Sequence, residues 1–600
     1  MARYTPSGQV TTIPQNQAEF EKIQTAIDDT LSRKGDTPNG MEADLDMNSN
    51  RILNLPAPSA LTEPLRLSDL DSFLGGNLSI DLSSVTKVID NVDTMKGDST
   101  LNSGDVVLCK KYYSGGDLVE GLIYEFQSSG TADGYIDHAT VNGVAKLIKS
   151  ESLDVKQAGA KGDDSTDDTL AIQAAFDSGV KNITVSGGTY IISASVQPAA
   201  GQTVTWFGEF KLKGGLATSS GNVPNSVLSV VRDNVTLVNP KIDGNRTNIT
   251  DDNGQSGVHS CIAAYGSGGN DNLRIFGGVI KNGIHNILQG TGRNALVKGV
   301  VMENSGEHNV YLNETDGSGG SLGSRFTFKD CVLKAPFIDS GLHSEGHYFQ
   351  LRNSKVVVID NCDCSGAGTG GSSAPTFAVL AENMDELIVN NSKFTDLTNR
   401  ILFIDSGRAT FNDCEFDVLS GIATLSMMTA TGADKVTFNR CVTNAYYQNT
   451  SLGPAKLVLK DCDITHATAF AIDMDADITG CTFNGSSTET WVDVSAGTAN
   501  IRDNTFKGSA FRLTTSGTGS ASIQGNSFPA VTTGSYHIQI GSTSGWAQVI
   551  GNNFPLSTST SAIRISGAVT TEVIVGGNYL PTGTINDLST NATLYGNVTV

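Results

Sequence analysis

From about residue 180 onward, apolar side chains recur in one spacing. With a central residue numbered 0, they fall mostly at −5, −3 and +2, and position 0 is usually Cys or Asn. Val436, Phe438, Cys441 and Thr443 are one copy; Ala499, Ile501, Asn504 and Phe506 are another. Clear centres are Cys331, Cys362, Ser392, Cys414, Cys441, Cys462, Cys481, Asn504, Asn526, Asn552 and Asn578, with weaker ones at Gly188, Phe210, Pro240, Gly278 and Val300. The 16 centres lie 19 to 38 residues apart, with a mean of 26. A repeat of fixed length does not wander this far, whereas a coil whose strands keep register while its turns change length does.

The step from −5 to −3 has a period of two, so both side chains point inward from one strand. The next two residues form a bend, and 0 and +2 point inward from the following strand. One such turn cannot bury its apolar edge alone. Stacking turns ~4.8 Å apart pairs each backbone with its neighbours and buries a continuous column. The pattern therefore predicts a mainly β chain, a single-stranded parallel β-helix roughly 70 Å long for sixteen turns.

Six of the nine cysteines (Cys331, Cys362, Cys414, Cys441, Cys462 and Cys481) occupy position 0. They are expected as small apolar thiols stacked in a dry column rather than as disulfides or metal ligands, since only Cys362 and Cys364 approach the local spacing of a metal pair. In the last four turns Asn504, Asn526, Asn552 and Asn578 replace them, which predicts an amide ladder.

The first third reads differently. Phe20, Ile23, Ile27 and Leu31 mark a helix over 16–33, ended by Gly35 and Pro38. Residues 46–70 are rich in Pro and turn formers, and 85–150 carry short strand patterns such as NSGDVVLCKKYY and LIYEFQSSG. In 154–177, Asp163, Asp164, Asp167 and Asp168 precede a short helix. Thr166 or Asp167 is expected at its cap, with Ile172, Ala175 and Phe176 covering the open end of the coil. The carboxylate spacing of a calcium loop is absent. No metal and no cofactor are expected.

Three of these segments carry a resemblance. DMNSNRILNLPAPSALTEPLRLSDL (46–70) resembles the anchoring segment near the N-termini of podovirus tail fibres and tailspikes. Residues 85–150 resemble the segment that precedes the β-helix in many tailspikes, and DVKQAGAKGDDSTDDTLAIQAAFD (154–177) is similar to the start of the pectate-lyase-superfamily β-helix. The resemblance implies a right-handed parallel β-helix over 153–600, a small β-rich connecting domain over 73–152 and a short helical virion anchor over 1–72. It also implies a homotrimer bound through its N-terminus to a phage tail or baseplate protein. Such a protein is assembled in the host cytoplasm, is carried on the virion tail and acts at the host surface on a bacterial polysaccharide, often as a depolymerase of capsule or exopolysaccharide. One departure is that only about 20 residues follow Asn578, too few for a large C-terminal trimerisation domain.

Charge narrows the partners. The net charge is −22, which argues against nucleic acid or an anionic membrane, since both require clustered Lys and Arg. No apolar run approaches the ~18 residues of a membrane span. The opening MARYTPSGQVTTIPQNQ lacks the basic and apolar regions of a secretory signal, so synthesis without an export signal is expected.

Candidate chemistry concentrates in residues 243–405. Repeat intervals are longest there, at 38, 31, 31 and 30 residues, and long turns can shape a cleft. Five of the eight histidines (His259, His285, His308, His343 and His347) fall within 89 residues, interleaved with carboxylates. The strands HNILQ, HNVYLNE and HYFQLRN begin with His285, His308 and His347, which predicts three histidines stacked on successive turns. Strict alternation turns Val310, Leu312, Phe349 and Leu351 inward and leaves Asn309, Tyr311, Asn313, Tyr348, Gln350 and Arg352 outward. With His285 these suit a sugar groove, where aromatic faces stack on rings and polar groups fix hydroxyls.

For cleavage, Glu307 and Glu345 each sit beside one of these histidines, His308 and His347, and come from neighbouring long turns. Paired carboxylates supply the acid and the base or nucleophile of glycoside hydrolysis, and Asp339, Glu314, Glu382 and Asp405 are reserves. Lyase chemistry on a uronic acid could use the same groove, with His308 taking a proton, Tyr311 donating one, and Asn309, Gln350 or Arg352 neutralising the sugar carboxylate. Hydrolysis is favoured because carboxylates are plentiful and Lys scarce here. A non-catalytic adhesin is the third reading.

Overall fold

In a computed structural model the described residues are 20–23, 84–221, 223–251, 259–264, 271–290, 293–313, 325–336, 346–366, 376–397, 402–404, 407–418, 428–430, 433–444, 456–466, 470–485, 490–507, 511–528, 536–541, 545–554, 562–566, 569, 572–580, 584–589 and 591–599. Contacts divide the chain into a unit over 1–76 and a unit over 77–600. In the first, residues 20–23 are helical, and the rest of the helix expected over 16–33 lies outside the described residues.

The second unit opens with a five-stranded sheet ordered Lys87–Asn91, Val106–Lys111, Ile123–Gln127, Gly143–Leu147, His138–Thr140. Its first pair is parallel and the others antiparallel.

From Ser152 the chain coils. Successive turns add strands to three faces, and strands pair in parallel with those one turn away. The first face has 18 strands, from Ser152–Asp154 to Ala592–Tyr595. The second is a 14-stranded sheet beginning at Asp163–Asp167. The third comprises an eight-stranded sheet, from Ser226–Ser229 to Met428–Ala430, and a six-stranded sheet from Phe470–Ile472 to Ile585–Asp587. This is a parallel β-helix, with one turn before and one after the sixteen read from the repeat.

Register follows the repeat. Position −3 runs Val389, Phe411, Phe438, Leu459, Ile478 and Ile501, each paired with the next. Position +2 gives a face-to-face ladder of rings, Phe483–Phe506–Phe528–Phe554, spaced 5.1, 4.9 and 4.8 Å. Each ring is buried, which contributes ~2–3 kcal/mol apiece. One weak centre moves: Glu209 pairs with Thr189 and Phe210 with Tyr190, so Phe210 is a +2 residue and Gly208 lies level with Gly188. The bend in that turn is shorter than the spacing assumed.

The bend explains position 0. The residue before it adopts the left-handed backbone, as at Asp413 (φ 55°), Asp461 (φ 53°), Gly480 (φ 70°) and Asp503 (φ 55°), a conformation open chiefly to Gly, Asn and Asp. The backbone N–H at position 0 points along the stack, not into a ladder. Position 0 of the next turn satisfies it: Cys462 N–H donates to Cys481 Sγ (3.4 Å), Cys481 N–H to Asn504 Oδ1 (2.8 Å) and Asn504 N–H to Asn526 Oδ1 (2.9 Å). The same side chains donate to the −3 carbonyl of the preceding turn, Cys441 Sγ to Phe411 O and Asn504 Nδ2 to Ile478 O. Thiol and amide thus do the same work. The ladder runs Asn504, Asn526, Asn552 and Asn578 at 3.0 Å per step and continues to Asn597 at 2.9 Å. All nine cysteines are buried and free.

At the other end a helix, Thr169–Asp177, buries Ile172, Ala175 and Phe176 over the first turn. Its cap position is Asp168, one residue beyond the expected one. The Asp168 carboxylate is drawn away to accept from Lys161 N–H and Gly162 N–H (2.7 and 3.0 Å), while Asp167 accepts from the Thr169 hydroxyl (2.6 Å).

Candidate functional site

The site is built on the eight-stranded sheet of the third face, where the chain leaves the second face and turns a corner. Leu288 pairs with Val310, and Val310 with Phe349. Counting back sets His308 level with His347 and His285 level with Glu307. The three histidines are therefore not one column. His308 and His347 stack, rings 4.8 Å apart at 20°, while His285 lies one place earlier, 5.2 Å from the ring of His259.

Hydrogen bonds fix the tautomers. His347 N–H donates to His308 Nδ1 (3.1 Å), so that nitrogen is unprotonated and the proton sits on Nε2. Nε2 faces Glu307 Oε1 at 3.4 Å. The arrangement repeats one turn earlier: His259 N–H donates to His285 Nδ1 (3.3 Å), and His285 Nε2–H donates to Asp251 Oδ2 (3.2 Å). Asp251 also accepts from the Thr218 hydroxyl (3.0 Å). His285, Glu307, His308 and His347 are at most 3% exposed. Two buried histidine–carboxylate pairs on adjacent turns can hold and move protons out of bulk water.

The expected outward row divides in two. Asn309 and Tyr348 face inward. Asn309 Nδ2 donates to Met302 O and Lys334 O (3.4 and 3.2 Å), and the Tyr348 hydroxyl donates to Thr395 O (3.2 Å); these acceptors lie on or beside the second face. Both residues are fully buried beside the inward Val310 and Phe349. The cause is the corner, where two consecutive residues pack inside before alternation resumes. Cys261, whose Sγ donates to Lys281 O, occupies the same place two turns below Asn309.

Beyond the corner the outer face is as expected. Tyr311 lies flat against His308, rings 5.8 Å apart at 12°. Its hydroxyl accepts from Asn313 Nδ2 (3.1 Å) and contacts the Arg352 guanidinium. Arg352 pairs with Glu382, level with it on the next strand. Tyr311, Asn313, Arg352 and Glu382 are half-buried, whereas Gln350, level with Tyr311, is 2% exposed and its Oε1 has no hydrogen-bond partner.

Glu345, Asp339, Glu314, Asp405 and His343 lie outside the described residues. Sequence reasoning missed Asp251, which stands in a turn-forming run, TDDNGQSG, with no periodic signal. It also missed Asn286, fully buried, whose amide has neither atom hydrogen-bonded. A buried amide in that state calls for water or a ligand atom. Its signal was present: it follows a histidine just as Asn309 does. Among the described residues no cluster of His, Cys, Asp or Glu could hold a metal ion.

No protein-family model matches the chain, and no curated protein matches it by sequence. Among solved structures it is similar to a tailspike protein of Escherichia coli bacteriophage HK620, at 11% identity over 77% of this chain and 84% of that one, with a TM-score of 0.41. It is similar to the tailspike gp49 of Acinetobacter baumannii bacteriophage Fri1, a capsular polysaccharide depolymerase, at 12% identity over 86% and 75%, TM-score 0.30. It is also similar to the A-module of the Azotobacter vinelandii mannuronan C-5 epimerase AlgE6, at 14% identity over 74% and 99%, TM-score 0.33. Likenesses this loose carry nothing about chemistry, and the fold stands on the strand register of the chain itself.

Proposed function

We propose that this chain is a bacteriophage tailspike that binds and depolymerises a bacterial surface polysaccharide, capsule or O-antigen, along the third face of its β-helix. The observation that carries the reading is the buried Glu307–His308 pair, with the proton of His308 held on the nitrogen that faces the carboxylate. Burial is the condition that lets a carboxyl group serve as acid and base near neutral pH, and the imidazole beside it is a partner for proton exchange. Half-buried Tyr311, Asn313 and Arg352 beside it offer an aromatic face and polar groups to a sugar.

In hydrolysis Glu307 is one of two carboxyl groups flanking the scissile bond. Its partner in this reading is Glu345, which precedes Gly346, the residue level with Glu307 one turn further on; Asp251, on His285, is a second carboxylate held by a histidine one turn earlier. Asn313, Gln350 and Arg352 position the sugar, and His285, buried with both ring nitrogens engaged, acts through Asp251. Asn309 and Tyr348, turned inward, shape the corner beneath it. The segment 1–72 anchors the chain to the virion tail, 73–152 connects, 153–600 binds receptor, and the assembly is a trimer.

A second reading, β-elimination on a uronic acid, is favoured by one contact: Tyr311, flat on His308, has Asn313 and Arg352 directed at its oxygen, which suits a proton-transferring phenol. Incubation with candidate capsules, read by mass spectrometry, tests the proposal. Products of constant repeat mass that gain water mark hydrolysis; products that gain near-ultraviolet absorbance mark elimination. Tight binding with no products leaves an adhesin, and neither binding nor products removes the proposal.

A further inference from the structure

Far from that face, a cleft of about 310 Å³ opens where the small five-stranded sheet meets the first turn of the β-helix. Its lining includes Tyr112, Tyr113, Lys156 and Lys161 together with Asp117 and Asp163. The volume is at the lower end of small-ligand sites, which run to about 1,000 Å³. By strand order the Glu307 turn is five turns away, roughly 24 Å at ~4.8 Å per turn.

The walls are held in place. Tyr113 reaches across the seam and donates its hydroxyl to Gly159 O (2.7 Å), and Tyr112 donates to Tyr135 O (2.8 Å). Gly159 sits at φ 88°, and a Cβ there would lie 2.5 Å from the Tyr112 ring, so backbone and ring pack as only glycine allows. Lys156 stands on a one-turn helix, Val155–Ala158, closed by a capping box between Asp154 and Gln157. The backbone at Lys161 and Gly162 is clamped by Asp168.

Charge identifies the occupant. The chain has 62 acidic and 40 basic side chains, and its described lysines divide between those that hold a carboxylate and those that do not. Lys87, Lys146, Lys211 and Lys281 each have one. Among the described residues Lys156 and Lys161 form no ion pair, and Lys161 Nζ rests 4.9 Å above the Tyr113 ring. The Asp163 carboxylate is already taken by Ser165 and Thr166, each donating through its N–H and its hydroxyl. Two ammonium groups without an ion pair, aromatic walls and the Asp117 carboxylate match a compact ligand bearing one carboxylate, a flat apolar side and hydroxyls.

We infer that this cleft is a second saccharide site, taking a sugar residue that carries a carboxylate. The carboxylate lies between Lys156 and Lys161, the ring lies against the tyrosines and a hydroxyl donates to Asp117. A charged polymer engaged here as well as on the third face gains effective concentration at the second contact.

The test is titration calorimetry on the full chain with D-glucuronate, D-glucose and inorganic phosphate. Glucuronate is expected to bind and to weaken as salt rises. A Lys156→Gln/Lys161→Gln double variant is expected to weaken it about tenfold or more, through loss of charge-assisted bonds. Its melting point changes little, because neither ammonium group forms an ion pair and the Lys161–Tyr113 contact contributes only a small cation–π attraction, and a Lys161→Gln single variant reports part of the loss. Glu307→Gln leaves glucuronate binding unchanged while removing depolymerisation, so the two sites fail separately. Absence of glucuronate binding, equal binding of glucose, equal affinity for phosphate, or unchanged binding in the double variant would each overturn the inference.

Discussion

The imidazole of His308 is oriented by the backbone of His347, 39 residues away in sequence and one turn away in space, whose N–H donates to Nδ1 at 3.1 Å. Because the donor is main chain, the tautomer survives changes of the His347 side chain. The proton on Nε2 is thereby committed to Glu307.

Glu307→Gln keeps the shape and the contact with His308 but cannot carry a proton at the carboxyl. On the proposed chemistry, turnover falls by about 10²–10⁴-fold. The melting point should change little, since the side chain stays buried in the same shape. Reducing-end release and halo formation on a capsulated lawn measure the first, calorimetry the second. Full activity in this variant would falsify the assignment of Glu307.

The amide ladder gives a stability prediction. Asn552 Oδ1 accepts from Asn526 N–H and Nδ2 (2.9 and 3.0 Å), and its Nδ2 donates to Ile523 O (3.0 Å). Asn552→Ala leaves a buried N–H and a buried carbonyl unpaired, at about 2–4 kcal/mol. Asn552→Cys is milder, because the thiol repeats the arrangement of Cys441 and Cys462. Half-lives in denaturant, compared across wild type, Ala and Cys, should fall in that order from longest to shortest as wild type, Cys, Ala.

His138 makes the small sheet sensitive to acid. It is 2% exposed, its Nε2 has no partner, and burial lowers its pKa from 6.5 to about 4. In the unfolded chain the imidazole binds a proton below pH 6.5, whereas the folded one does so only near 4. The stabilising contribution is therefore complete above 6.5 and is lost as pH falls toward 4, on the order of 3 kcal/mol in all. Denaturation followed at pH 7, 5.5 and 4.5 should show the loss, and His138→Phe should flatten it.

The thiols should be inert in the native protein. All nine are buried, and burial raises Cys109 to about 12 and Cys364 well above the ordinary range. A thiol reagent at pH 8 is expected to titrate no cysteine quickly before denaturation and nine after it. Rapid reaction of any position-0 cysteine in the native state would contradict the dry column.

What the sequence determined by itself is whatever repeats. The −5, −3, 0, +2 spacing places Cys462 under Cys481 and Asn526 under Asn552, because stacked turns convert a linear period into vertical contact. It also brings His308 to His347. The tertiary structure decided what happens at corners and across long turns. Asn309 and Tyr348 face inward because the chain rotates between two faces, and period-two counting holds only within a strand. Asp251 meets His285 from 34 residues away, through a segment with no periodic signal. Tyr113 reaches Gly159 across 46 residues for the same reason: local patterning fixes which face a side chain takes, and only the path of the chain fixes which partner waits there.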